Sequence, residues 1–261
     1  NLFGVSAKYI DHLKNENYNS EKLDLSSIKI ITSTGSPLAE KSFNYVYENI
    51  KQDVHLASIA GGTDLVGCLV LGNLYSNVHK GEIQGQSLGI DVDVFTDNGK
   101  STKDGDKGEL VVKKPFPSMP VKFWGDIDGQ KYHKAYFTRF ENIWHHGDFI
   151  ERTSNNGFIM RGRSDSTLNP GGVRIGTSEI YQQVEDIDFI TEGLVVGQDF
   201  KDDVRIILFV TTKNNQELDD EKVKSIKSRI RINCSPKHVP SLIIKVPAIP
   251  ITKSGKIVEL A

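Results

Sequence analysis

Two short apolar runs, Ile28-Lys-Ile-Ile31 and Val54-His-Leu-Ala-Ser58, each lead straight into a glycine-bearing turn. The first turn is Thr32-Ser-Thr-Gly-Ser-Pro37, the second is Ile59-Ala-Gly-Gly-Thr-Asp64, and a helical stretch lies between them. Strand, turn, helix, strand, turn is the pattern of an α/β layer, which gathers ligands at the carboxyl ends of its strands. Residues 38–50 place Phe43, Val46, Tyr47 and Ile50 on one helical face, with Pro37 suited to the first turn. A further helix is expected over residues 3–13, where Phe3, Ala7, Ile10 and Leu13 recur at helical spacing.

From about residue 81 the periodicity changes. Residues 90–95 (Ile-Asp-Val-Asp-Val-Phe) alternate with period two, and Asp97-Asn-Gly99 reads as a turn. Residues 108–112, 132–137, 149–150 and 157–160 are further short strand candidates, so residues 81–162 are expected to form a small antiparallel β subdomain. A polar run with Pro and Gly, residues 164–172, is a candidate linker. Beyond it, residues 177–185 read as a helix with Thr177 as N-cap, and residues 193–197 and 205–210 as strands. Residues 218–232 read as a helix with Val223, Ile226 and Ile230 inward, and residues 242–246 as a last strand. The expected organisation is an α/β part with its β subdomain over residues 1–164 and a small α+β domain over residues 165–261.

Composition narrows the function. With 32 Lys+Arg against 34 Asp+Glu among 261 residues, the net charge of −2 gives no general attraction for nucleic acid or an anionic membrane. No apolar run approaches the roughly 20 residues needed to span a bilayer. Cys68 and Cys234 are far apart and lack metal-ligand spacing, which argues against a disulfide framework or a structural zinc site. A reducing, cytosolic compartment and small-molecule substrates are therefore expected, and the oligomeric state is left open.

Each candidate motif has a plain alternative. Gly35-Ser36-Pro37 could present backbone N–H groups to a ligand, or simply turn the chain. Gly61-Gly-Thr-Asp64 could approach phosphate, with Thr63 donating and Asp64 reaching Mg²⁺, or serve as a turn. In His145-His146-Gly-Asp148 the two His side chains of a strand point to opposite faces, so a shared metal is not expected. Asp148 suits a vicinal diol through two hydrogen bonds. Arg161, Arg163 and Arg174 around the linker suit phosphate, although arginines are common on surfaces. Thr252-Lys-Ser-Gly-Lys256 lacks the first Gly of a phosphate loop of the G-x-x-x-x-G-K-[ST] type and has no Ser or Thr after Lys256.

The order of these motifs is more specific than any one of them: T-G-S-P, G-G-T-D, G-E-L, H-G-D, G-R-S-D, N-P-G-G-V-R-I-G-T-S-E-I and P-I-T-K-S-G-K. This order resembles the adenylate-forming superfamily of acyl-CoA synthetases, luciferases and peptide-synthetase adenylation domains, from about Gly4 to Lys256. The resemblance implies the later part of a large AMP-binding domain, joined by a hinge to a small mobile carboxyl-terminal domain. It also implies activation of a carboxylate by ATP to an acyl-adenylate, followed by attack of the coenzyme A thiol. On that basis Gly35, Ser36 and Pro37 line the adenine, Thr63 contacts phosphate, and Asp64 is the Mg²⁺ ligand where many relatives have Glu. Asp148 binds the ribose, Arg163 and Arg174 contact the nucleotide, and Asp165 is the hinge. Gly171 and Gly172 leave room for the pantetheine arm, and Lys256 is the catalytic lysine, acting through its charge. Acetylation of Lys256 would abolish that charge.

Two departures bear on the implied function. Acetyl-CoA synthetases carry a Trp two residues before the matching Thr; here that position is Gly61, which implies room for a longer acid such as a short keto acid. The superfamily's phosphate loop, S-T-G-x-T-G-x-P-K, is absent from these residues, so the chain is expected to be a fragment of a longer enzyme with little activity of its own. A domain loading a carrier protein and an inactive nucleotide-binding fragment are the alternatives.

Overall fold

The structure is a computed structural model that describes residues 1–185, 187–201, 203–252 and 257–259. The chain divides into two compact units, Asn1–Met160 and Arg161–Ala261.

The first unit opens with strand β1 (Leu2–Ser6), helix α1 (Ala7–Asn15), strand β2 (Ile30–Thr34), helix α2 (Glu40–Tyr45) and strand β3 (His55–Ser58). The three strands form a parallel sheet in the order β1-β2-β3. The helix expected over residues 3–13 is half strand, because Leu2–Ser6 pairs residue for residue with Ile30–Thr34. Ser6 then ends the strand and caps α1, its Oγ accepting the Tyr9 N–H at 3.1 Å. Pro37 precedes α2, whose N-cap is Ala39, and the helix widens into a π-type turn at Val46–Ile50. Ile10, Ile31, Phe43, Val46 and Leu56 bury the space between sheet and helices.

The same unit continues with β4 (Ala60–Gly62), β5 (Gly67–Leu71) and β6 (Gly85–Gln86), an antiparallel sheet. Then come β7 (Val92–Phe95), β8 (Lys107–Val112), helix α3 (Gln130–Tyr136), β9 (Trp144–Arg152) and β10 (Phe158–Arg163), whose last three residues belong to the second unit. Their sheet has the order β10-β9-β8-β7, and β8 is antiparallel to both β7 and β9. The strand expected over residues 132–137 is instead α3. Asp126 starts it: one carboxylate oxygen accepts the Lys131 N–H at 3.1 Å and the other the Tyr132 N–H at 2.8 Å. Tyr132 and Tyr136, four residues apart on that helix, then pack on the core against Trp144.

The second unit contains 3-10 turns at Ser164–Ser166 and Pro170–Gly172, helix α4 (Thr177–Val184), strands β11 (Ile190–Phe200) and β12 (Asp203–Thr212), helix α5 (Asp220–Asn233) and strand β13 (Leu242–Lys245). Its sheet runs β11-β12-β13, antiparallel and then parallel. Gly176, not Thr177, is the N-cap of α4, and Glu179 completes the cap by accepting the Gly176 N–H at 3.0 Å. Leu208, Ile180, Ile226 and Ile230 are fully enclosed, whereas Val223 is half-buried. No described helix is long and apolar enough to cross a membrane.

The Asp126 cap makes α3 sensitive to acid. Burial alone would raise the Asp126 pKa, but the Tyr132 and Lys131 N–H groups outweigh it and hold the carboxyl below its ordinary value of 3.8. The ionised cap therefore stabilises the fold fully above that value and ceases to do so as pH falls through the lower folded-state pKa. Asp126→Asn is expected to unfold more easily than the parent at neutral pH. The gap should close in strong acid, as read from denaturant midpoints over a pH series.

Candidate functional site

Parallel pairing of β2 with β3 brings the two glycine turns to the same sheet edge. The Ile59 N–H, one residue past β3, donates to the Ser33 carbonyl of β2 at 2.9 Å. Thr34, the last residue of β2, and Gly35, Ser36 and Pro37 after it are exposed. Gly35 has φ +89°, a left-handed conformation that side chains resist, so glycine is required there by the turn itself.

The second turn leaves the parallel sheet and enters β4. Gly61 pairs with Cys68 of β5 beside a register shift, and a Cβ at Gly61 would lie 2.1 Å from the Gly67 carbonyl oxygen. The direction a side chain would take is thus filled by backbone. The structure adds a steric reason for glycine at position 61 that does not depend on acid length. A tryptophan placed there would meet β5 before any acid.

Gly62 is equally constrained, for a Cβ on it would stand 3.0 Å from His146 Cε1. This approach joins the second turn to β9. Trp144, His146 and Asp148 alternate along β9 on its buried side. The Trp144 indole N–H donates to His146 Nδ1 at 3.3 Å, which leaves Nε2 as the protonated nitrogen. His146 Nε2 lies 3.6 Å from Asp148 Oδ2. His145 points the other way and is engaged by Glu109, its Nε2 lying 2.7 Å from a carboxylate that is itself fully buried. Arg139 stands 3.1 Å from the other oxygen of Glu109. The two histidines therefore serve separate networks. No grouping of three or more His, Cys, Asp or Glu suited to a metal occurs among the described residues.

Thr63 and Asp64 are exposed at the start of the β4–β5 connection, where the Val66 N–H closes a turn on the Thr63 carbonyl at 3.1 Å. Asp64 Oδ2 accepts a hydrogen bond from the Tyr136 hydroxyl of α3. The Tyr136 ring is stacked on Trp144, with centroids 3.7 Å apart and planes 13° from parallel. The first unit thus connects Gly61–Asp64 with Asp148 through Tyr136, Trp144 and His146. Of these three residues, sequence reasoning weighs His146 as a metal ligand and misses Tyr136 and Trp144. The signal for Trp144 and His146 is their spacing with Asp148 at i, i+2 and i+4, a single strand face.

The second unit holds the remaining sites. Arg163 Nε is 3.7 Å from Asp165 Oδ1, and both side chains are about half exposed. Arg174 Nε donates to Thr167 Oγ1 at 3.2 Å across the Leu168–Ile175 bridge. Gly171 and Gly172 have φ of +57° and +76°. The Gly171 N–H donates to Asp203 Oδ1 at 2.7 Å, and that bond, with the Val204 N–H, holds the Asp203 carboxyl below its ordinary range. Lys237 Nζ lies where a Gly171 Cβ would be, 2.2 Å from its ideal position. Lys256 lies outside the described residues.

No protein-family model matches the chain. It is 57% identical over 261 residues to the acetoacetyl-coenzyme A synthetase of Rhizobium meliloti (strain 1021), covering 100% of this chain and 40% of that protein. Its structure matches acetoacetyl-CoA synthetase from Streptomyces lividans with a TM-score of 0.91 and 40% identity, over 99% of this chain and 40% of that one. An anthranilate CoA ligase solved with anthranoyl-AMP matches with a TM-score of 0.79 at 17% identity, over 98% of this chain and 48% of its own. The fold is that of the carboxyl-terminal portion of adenylate-forming CoA ligases. Within that class the chain is similar to acetoacetyl-CoA synthetases, of whose length it spans about 40%.

The contact at Gly61 gives a direct expectation. Gly61→Ala should disrupt β4–β5 pairing and lower the thermal midpoint, whatever acid the protein uses. Gly172→Ala has nothing within 4 Å of the added Cβ, so it meets no clash and sets the scale for positive-φ strain alone. Parallel melting curves of the two variants check the difference.

Proposed function

We propose that the protein carrying this chain is an ATP-dependent acid–thiol ligase. It converts acetoacetate, ATP and coenzyme A to acetoacetyl-CoA, AMP and pyrophosphate through an acyl-adenylate. The observation that carries the reading is the convergence of Gly61–Asp64 and Asp148 on one aromatic block, in a chain 57% identical to an acetoacetyl-coenzyme A synthetase.

The residue roles in this reading are those that the family resemblance implies. Gly35, Ser36 and Pro37, exposed at the sheet edge, offer a flat turn to the adenine. Asp148, buried and set beside His146, offers a carboxylate to the ribose diol, where two hydrogen bonds fix orientation. Thr63 donates its hydroxyl to a phosphate oxygen. A single carboxylate at Asp64, with one oxygen already engaged, fits a Mg²⁺ held mainly by phosphate oxygens and water. When bound, that ion neutralises phosphate charge. Arg163 and Arg174 add cationic contacts to the nucleotide, and the turn at Asp165 is the hinge of the small domain. Gly171 and Gly172 present backbone without side chains to the pantetheine arm. Lys256 places a positive charge where negative charge builds between carboxylate and α-phosphate, a contribution of positioning and electrostatics. Gly61 meets the acid through its backbone alone, because β5 fills the direction of its side chain, and the length of the acid is left to other residues.

The test uses the full-length protein. Acetoacetate with ATP and coenzyme A should give AMP and acetoacetyl-CoA, and acetate should be the poorer substrate. Lys256→Gln should slow adenylate formation by about 10²–10³-fold, while thioester formation from supplied acyl-adenylate stays near the parent rate. Absence of AMP formation with any short keto acid would overturn the reading.

A further inference from the structure

Asp64 is a short carboxylate on an exposed turn, and to meet a cation at a fixed place it must itself be held. Its neighbours in sequence do not hold it: Thr63 is exposed, and Leu65 is buried in the core. The group that grips it comes from 72 residues away. Tyr136 donates its hydroxyl to Asp64 Oδ2, and its ring lies flat on Trp144, which is almost completely buried. Phe123 and Tyr132 pack edge-on against the same ring at 6.0 and 5.8 Å. An aromatic side chain pinned on three sides has little rotamer freedom to lose when its hydroxyl makes a bond.

We propose that Tyr136 is a positioning residue for Asp64: it engages Oδ2, turns Oδ1 toward the water shell of the phosphate-bound cation, and fixes that oxygen relative to Asp148 through Trp144 and His146. The proposal rests on the functional reading above and deepens it. The geometry has three consequences. Asp64 acts through water, because a side chain one methylene shorter than Glu, and already bonded on one oxygen, lacks the reach and freedom to enclose the ion. The phosphate end and the ribose end of the nucleotide are held at one separation by a single rigid group of rings. Finally, the tyrosine works only through the carboxylate, so its hydroxyl should have no effect once that carboxylate is gone.

Tyr136→Phe in the full-length protein removes the hydroxyl and keeps the stacked ring. A hydrogen bond to a charged group of this kind corresponds to about a tenfold effect or more. The Mg²⁺ concentration for half-maximal adenylate formation should rise at least about tenfold. The affinity for Mn²⁺ in the presence of a non-hydrolysable ATP analogue, measured by paramagnetic resonance of the free ion, should fall in parallel. The KM for acetoacetate should stay unchanged. On an Asp64→Asn background, Tyr136→Phe should add nothing to either readout. If Tyr136→Phe leaves Mn²⁺ affinity untouched while Asp64→Asn weakens it, the proposal is overturned and the functional reading stands. An equal loss from Tyr136→Phe on the Asp64→Asn background overturns the proposal in the same way. If Asp64→Asn itself leaves Mn²⁺ affinity and Mg²⁺ dependence untouched, the metal-side assignment of Asp64 fails first, and the proposal falls with it.

Discussion

The backbone pairing of β2 with β3 is the constraint on which the arrangement of the first unit depends. Parallel strands end on the same side, so Gly35 and Ile59 leave the sheet together, tied by the Ile59 N–H to the Ser33 carbonyl. The two exits then differ for steric reasons. After β2 the chain needs a left-handed residue, and Gly35 supplies it. After β3 the chain turns at once into β4, and the close approach of β5 leaves no space for a side chain at position 61. Two glycines that look alike in sequence meet two unrelated demands, one conformational and one of contact.

The second organising element is the group of rings around Trp144. Phe116, Tyr132, Phe137 and Tyr136 meet that indole at centroid distances from 3.7 to 6.1 Å. Edge and stacked contacts of this sort add about 0.5–1.5 kcal/mol each beyond simple burial. Three of the rings come from α3 or the residue after it, so the cap at Asp126 and the glycine with φ 72° before the helix indirectly determine where the Tyr136 hydroxyl sits. On the other face of β9, His145 Nε2 and Arg139 approach the two oxygens of the fully buried Glu109 carboxylate, at 2.7 and 3.1 Å. A nearby guanidinium offsets part of the cost of burying that carboxylate.

Much of this is legible in the sequence, though unevenly. The strand-to-turn junction at Ser58 is clear because an apolar run stops shortly before glycine, whereas the junction read at Ile31 lies three residues early, since pairing with β1 carries β2 on to Thr34. The motif order identifies the fold class, and the similarity to acetoacetyl-CoA synthetases agrees with it. Residues 132–137 read as a strand because aromatic residues favour strands, and the carboxylate that begins the helix lies outside that window, at Asp126. Phe3 reads as helical because the spacing of Phe3, Ala7 and Ile10 suits a helix, while the pairing that makes Leu2–Ser6 a strand is with residues 28 positions away. Thr177 resembles a cap, but the Glu179 carboxylate satisfies the helix start from inside, which frees the cap position for glycine. In the first two cases a group beyond the local window overrides a local preference. The partner of Asp64 is invisible in sequence for the same reason.

The tryptophans extend the consequence of that aromatic group into spectroscopy. These residues contain two, Trp124 and Trp144. Trp124 is fully exposed, whereas Trp144 is 2% exposed and stacked on Tyr136. An aqueous collisional quencher such as iodide reaches the first indole and not the second. The emission that survives quencher comes from the ring that touches both Tyr136 and His146, so these residues carry a built-in optical probe between the Gly61–Asp64 turn and Asp148 of β9.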